Sequence, residues 1–103
     1  MSAKPVSDNA LSSSATAASV NFGYFVSGLA VTNDGANAVW VKAWGEHDTV
    51  ATLTTTTTGA RKILPGATFV WRWNPLSEDG HGYKGFSHIC DTGLTSTLRW
   101  FAK

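Results

Sequence analysis

Several features that would assign this 103-residue chain to a familiar class are missing from its sequence. Cys90 is the only cysteine, so no disulfide can form within the chain. The longest nearly apolar stretch, residues 20–31, is too short to span a membrane. No apolar segment follows Lys4, as a secretory signal would require. We therefore expect a protein that is made in a cytoplasm and has no membrane partner.

Charge is also scarce, and it is nearly balanced. Eight lysines and arginines stand against seven aspartates and glutamates, which leaves a net charge of +1. There is no basic run and no basic stripe interleaved with aromatic residues, the pattern typical of nucleic-acid binding. The sequence therefore predicts no nucleic-acid partner.

Motifs of known catalytic chemistry are missing too. The chain has no GxSxG, no CxxC, no HExxH and no glycine-rich phosphate loop. The glycines lie singly at turns. We therefore expect a protein without enzyme activity and without a cofactor.

Titratable residues are grouped at two places. Residues 46–48 read Glu-His-Asp, but adjacent side chains in a loop diverge, and a solvated loop is expected. His88 and Cys90 share one face of a strand. A structural zinc needs four ligands, however, and His47 or His81 would have to come from distant loops. We expect no metal site and a buried, inert Cys90.

What the sequence does contain is typical of β proteins. It has no glutamine, and threonine, valine, glycine and aromatic residues prevail over helix formers. Turn residues separate a series of strand candidates: 20–32, 38–44, 52–58, 61–64, 67–73, 83–90 and 94–101. They predict an all-β domain over residues 20–103, an antiparallel β-sandwich or small barrel of the immunoglobulin-like or jelly-roll-like kind. Alternation along these strands predicts six core residues: Val39, Val41, Phe69, Trp71, Ile89 and Leu98.

Residues 1–19 differ from the rest of the chain, because they are almost free of large apolar side chains. Such a segment buries too little apolar surface to become ordered by itself in water. Either a neighbouring subunit or the chain's own body must hold it, and we expect a neighbour. The segment is thus predicted to be an extended N-terminal arm that bridges subunits. Its expected contacts continue into the start of the body: Pro5, Val6, Leu11, Val20 and Phe22.

Trp40, Lys42 and Trp44 share one face of the 38–44 strand, and smaller apolar residues occupy the other. A lysine seldom faces a core, so the tryptophan face is expected to be at least partly outside. Tryptophans there could cap the edge of the core, anchor a protein interface or form a stacking platform for a sugar. We expect another chain, or the arm, to cover this face, because two bare tryptophans favour aggregation.

Four stretches of the sequence, taken in order, resemble one family. They are the strand end Val31-Thr32-Asn33, the segment NAVWVKAWG, the segment ILPGATFVWRW with its Leu64-Pro65-Gly66 turn, and the segment FSHICDTGLTSTLRW. In this order they resemble the small β-sandwich virion proteins of tailed bacteriophages. The resemblance covers residues 31–100 and consists of turn and packing features.

This resemblance implies a structural role on the phage particle, as a capsid decoration or cement protein, or as a head–tail or tail accessory part. The partners would be the major capsid protein or other virion proteins, the chain would form a homo-oligomer, and it would reside in the virion. The family has no shared catalytic residues to carry over. The alternative function, from a different class, is a carbohydrate-binding module that binds a glycan through Trp40 and Trp44.

Overall fold

The computed structural model describes residues 6–45, 60–73 and 82–103. Within these ranges every regular element is a β-strand. The strands are β1 (Val6–Ser13), β2 (Ala18–Val26), β3 (Gly28–Asn33), β4 (Val39–Gly45), β5 (Arg61–Ile63), β6 (Thr68–Arg72), β7 (Tyr83–Cys90) and β8 (Ser96–Ala102). The candidate strand at 52–58 and the loop at 46–48 lie outside the described residues.

The strands form two four-stranded sheets that pack face to face. The first sheet has the order β1-β8-β3-β6, and the second has the order β2-β7-β4-β5. All the pairs are antiparallel. The predicted all-β fold is therefore confirmed, as an antiparallel sandwich with its core between the two sheets.

Alternating side chains from both sheets fill the space between them. Three aromatic rings lie at its centre, with the Phe22 centroid 5.2 Å from that of Trp100 and 6.1 Å from that of Phe86. Tilted contacts of this kind favour aromatic packing beyond the area that they bury. The other described residues of this core cluster are Val26, Leu29, Val31, Val39, Val41, Ala43, Ile63, Cys90, Leu98 and Ala102.

The prediction of core residues was partly correct. Three of the six are fully buried: Val39, Val41 and Leu98. Phe69 and Trp71 are half-buried and pack against the core from β6. Ile89 was wrongly predicted, because His88 takes the inward position on β7. Ile89 instead lies on the outer face of the second sheet, opposite Trp40.

The single strand predicted at 20–32 is in fact two strands in different sheets. The chain leaves the second sheet after Val26 and enters the first sheet at Gly28. At this corner the backbone N–H groups of Ser27 and Gly28 both donate to the carbonyl oxygen of Lys103, at 3.0 and 3.1 Å. The corner is therefore stabilised by Lys103, a residue far from it along the chain.

The predicted N-terminal arm is corrected by the pairing of β1. Residues 6–13 form a strand of the first sheet, antiparallel to β8, with Ser13 opposite Ser96. Leu11 packs against the core, and the predicted boundary between residues 19 and 20 falls inside β2. The ladder to β8 satisfies backbone groups that a free arm would leave to water, which explains why a segment poor in apolar residues is ordered. Residues 6–13 are thus part of the sandwich.

Asn33 is a buried polar residue that links the two sheets. Its side-chain nitrogen donates to the backbone oxygens of Asn37, at 2.7 Å, and Ile63, at 2.9 Å. Its side-chain oxygen accepts from the backbone N–H of Gly35, at 3.0 Å, and from the hydroxyl of Ser96, at 2.7 Å. Ile63 belongs to the second sheet and Ser96 to the first, so one side chain connects both layers.

Candidate interaction surface

The outer face of the first sheet carries exposed apolar side chains. Ala30 on β3 lies between Val70 on β6 and Phe101 on β8, so the three form one row across the sheet. Val70 is 49% exposed and Phe101 is 46% exposed. Since the opposite face of the same strands forms the core, period-two alternation would normally place polar residues here. We call the outer residues of β3, β6 and β8 the β3 face.

The β3 face is hollowed along its middle strand. Gly28 and Ala30 are small, and the side chains of β6 and β8 rise on either side of them. The result is an open hollow of about 600 Å³, lined among others by Val70, Arg72 and Phe101. We call this larger hollow, above β3 and between β6 and β8, the trough. A second hollow of about 280 Å³ adjoins it over β8, lined among others by Ala30 of β3, Phe101 of β8 and Ser7 of β1.

The charges around this trough are mostly positive. Arg72 and Lys103 line one end of it, and Arg99 lines the smaller hollow beside it. Arg99 forms an ion pair with Asp34, with its Nε 3.1 Å from Oδ2. Among the described residues no carboxylate forms an ion pair with Arg72 or Lys103, so these two cations are not neutralised by that part of the chain.

The predicted tryptophan surface lies on the other sheet and is only partly exposed. Trp44 is 5% exposed, and its ring lies over Gly85, the residue opposite it on β7. The ammonium group of Lys62 lies 5.2 Å from the centroid of Trp40, a cation–π contact. Lys42 and Trp40 are half-buried. The expectation of two exposed tryptophans is therefore wrong for Trp44, because a glycine opposite it gives its ring a place to pack.

The remaining predicted interface residues mostly belong to the sandwich itself. Phe22 is 8% exposed and sits in the core. Leu11 and Val20 are half-buried and pack against that core. Val6 pairs with Ala102 on β8. Pro5, the eighth predicted contact, lies outside the described residues.

A buried polar cluster joins β1 to β7. The hydroxyl oxygen of Ser13 lies 2.8 Å from Nδ1 of His88, which is 1% exposed. Burial lowers the pKa of His88, so the imidazole is neutral at pH 7. The neighbouring Cys90 thiol has a raised pKa, chiefly through burial, with a hydrogen bond from Ser13 opposing the rise and the charge of Asp91 adding to it.

This cluster has the residue types of a nucleophilic site but not the required environment. A reactive cysteine needs a lowered pKa and access to a substrate. Cys90 has a raised pKa and is 1% exposed. In addition, its backbone N–H donates to the carbonyl oxygen of Ser14, at 2.8 Å, next to the His88–Ser13 bond. The arrangement connects the two sheets, and it suits a structural role.

The β3 face was missed by reasoning from the sequence, although the sequence contains a signal for it. Strand 67–73 places Val70 among polar residues on its second face, and strand 94–101 does the same with Phe101 and Arg99. Each apolar residue alone is unremarkable on a surface. Only the pairing of both strands with β3 brings Val70 and Phe101 to the same place.

Comparison with protein-family models, curated proteins and solved structures found no match to this chain. Across residues 6–45, 60–73 and 82–103, no helix is long and apolar enough to cross a membrane. The same residues contain no group of three or more His, Cys, Asp or Glu side chains placed to hold a metal ion. The β3 face therefore stands as the candidate functional site on its own geometry.

Proposed function

We propose that this chain is a non-enzymatic structural protein of a phage particle, a decoration or cement protein that stabilises the capsid by bridging neighbouring subunits. The observation that carries the proposal is the exposed row formed by Val70, Ala30 and Phe101. Exposed apolar side chains gathered in one place, with a charged rim, are typical of protein–protein contact surfaces. The resemblance to phage virion β-sandwich proteins supports the particle as the place where the contact is made.

The proposed mechanism is the burial of the β3 face against a neighbouring subunit. Apolar surface contributes roughly 25 cal/mol per Å² when it is removed from water, before the entropy of association is subtracted. The apolar area of the β3 face is small, so a single contact between this face and a neighbouring subunit would be weak. Many weak contacts act together on one particle, because each attached copy raises the effective concentration of the next contact. The sandwich provides a rigid support, since the inner face of the same sheet is close-packed.

Other positions on the particle would use the same surface. In a head–tail or tail accessory protein, the β3 face would contact a connector or tail subunit instead of the major capsid protein. A glycan partner is less favoured, because a two-tryptophan platform needs both rings exposed and Trp44 is 5% exposed. The half-buried Trp40 also has its ring in contact with Lys62.

The proposal is tested by co-sedimentation with particles assembled without this protein. The parent protein should sediment with such particles, and Phe101→Glu should not, because a carboxylate would be placed in the apolar row. Leu64→Glu is the matched control, since Leu64 is 56% exposed but lies on the β5–β6 turn away from the trough. Failure of the parent protein to bind these particles would contradict the proposal, and so would an equal loss of binding in both variants.

Sugar binding is checked in the same samples. Tryptophan fluorescence titrated with a panel of bacterial surface glycans should not change in the parent protein. A saturable change that disappears in Trp40→Ala would favour the carbohydrate-binding alternative.

A further inference from the structure

The trough above β3 has the width of a single polypeptide chain. Its floor is β3, and its walls are the neighbouring strands β6 and β8. Adjacent strands lie about 4.8 Å apart, so the two walls are about 10 Å apart. That is the spacing at which one extended segment, or one row of its side chains, can lie between them.

The apolar residues define where a side chain would enter the trough. Val70 and Phe101 stand opposite each other across Ala30, in one register. Ala30 has only a methyl group, so the space above it is open. A large apolar side chain inserted there would contact Val70 on one side and the Phe101 ring on the other, which is the usual form of an interface anchor.

Arg72 and Lys103 indicate the charge of the residue that would stand next to the inserted apolar side chain in the bound segment. Arg72 is opposite Gly28 on the β6 side. Lys103 is beside Gly28 on the β8 side, with its backbone N–H donating to the carbonyl oxygen of Gly28 at 3.0 Å. Both line the larger hollow, two residues along β3 from Ala30. In an extended segment, positions two residues apart are about 6.6–7 Å apart and point to the same side, so a carboxylate two positions from the anchor would reach this end.

We propose that the trough binds an extended acidic segment of a neighbouring protein, with an apolar side chain between Val70 and Phe101 and a carboxylate at Arg72 and Lys103. This inference rests on the proposed function and names the chemistry of its partner. A second copy of the same face is not the occupant, because two faces rich in Arg and Lys would repel each other. A free anion is not the occupant either, since it would leave the apolar row uncovered.

The first test uses a defined pair of peptides and the ¹⁵N-labelled protein. The probe is a blocked heptapeptide with phenylalanine at its centre, valine on each side and glutamate at the next positions. The control has lysine in place of each glutamate. The acidic peptide should give saturable amide shifts at Gly28, Ala30 and Phe101, and the basic peptide should bind roughly tenfold more weakly or not at all. Equal binding of both peptides, shifts confined to other strands, or no binding of the acidic peptide would overturn the inference.

The second test uses charge variants of the protein. Arg72→Glu should weaken binding of the acidic peptide by roughly tenfold or more, because it reverses the charge at one end of the trough. Lys62→Glu changes the net charge by the same amount on the other sheet and should leave binding unchanged. Equal weakening in the two variants would mean that only net charge matters, which would overturn the trough as the site. Unchanged melting temperatures confirm that both variants are folded.

The inference and the proposed function fail in different ways. Particle binding that depends on Phe101, without binding of the acidic peptide, would leave the proposed function standing and overturn the acidic partner. Binding of the acidic peptide at the trough, without particle binding, would overturn the proposed role on the particle. The inference that the trough binds an acidic extended segment would still stand.

Discussion

Replacing Asn33 by alanine should destabilise this protein more than most single substitutions. The Asn33 side chain is fully buried and takes part in four hydrogen bonds. Alanine would remove all four and leave without replacement their partners on two strands, β5 and β8, and in the turn after β3. The effect is expected to be on stability alone, because Asn33 lies away from the outer surface of the sheet.

The magnitude follows from how deeply each partner is buried. The bonds to the Ile63 carbonyl oxygen and the Ser96 hydroxyl are buried. A buried polar group left without a partner costs about 1–3 kcal/mol. The bonds to Gly35 and Asn37 are only part-buried, so water can replace them at a cost of well under about 1 kcal/mol each. The free energy of unfolding should therefore fall by about 2–6 kcal/mol, chiefly through the two buried bonds. The total for a domain is about 5–15 kcal/mol.

Urea unfolding of purified protein measures this loss directly. Asn37→Ala is a matched control, because it removes a single exposed hydrogen bond, from the Asn37 side chain to the carbonyl oxygen of Thr95 at 2.8 Å. That control should lose less than about 1 kcal/mol. If Asn33→Ala and Asn37→Ala differ by less than about 1 kcal/mol, Asn33 does not hold the two sheets together in the way described.

Three further predictions concern stability. Gly85→Ala should lower the free energy of unfolding by about 1–3 kcal/mol or more, because the added methyl group would overlap the Val20 carbonyl oxygen and the Trp44 ring. Gly28→Ala is the control and should leave the melting temperature unchanged, since the nearest atom to its methyl group would be at an ordinary 3.7 Å. Equal effects of the two substitutions would contradict the described packing around Gly85. Burial lowers the pKa of His88, so its contribution to the free energy of unfolding should be complete above pH 6.5 and should decline as the pH falls below that value, by at most about 1.4 kcal/mol per pH unit. A urea midpoint that does not change between pH 7.5 and pH 5 would refute this, and so would a pH dependence that is the same in the His88→Asn variant. Deleting residues 1–13 should lower the melting temperature, since it removes an entire strand of the sandwich, and an unchanged temperature would show that β1 contributes nothing.

The strands that could be predicted from the sequence are those whose pattern is local. The alternation in 38–44 correctly placed Val39 and Val41 in the core, and 83–90 has the observed bounds of β7. The Leu64-Pro65-Gly66 turn is also confirmed, with the Ala67 N–H donating to the Leu64 oxygen at 2.9 Å and Gly66 at a φ of 82°. Each of these depends on residues within a few positions of one another.

Errors arose where the answer depended on a partner strand. Trp44 is buried because Gly85, 41 positions away, lies opposite it, and only the β4–β7 register brings them together. His88 displaced Ile89 from the core because Ser13, on β1, satisfies its ring nitrogen. Without that partner a buried histidine would be costly, so hydrophobicity alone favoured Ile89.

The candidate site, too, exists only because strands that are distant in the sequence pair with one another. Its floor comes from residues 28–32, and its walls come from 68–72 and 99–103, so no continuous part of the sequence contains it. The chain as a whole carries a net charge of only +1. The sheet order nevertheless gathers Arg72, Arg99 and Lys103 around one apolar row. Cationic side chains gathered on one face of a nearly neutral protein orient an approaching acidic partner, and the proposed attachment to a particle through a single face requires this.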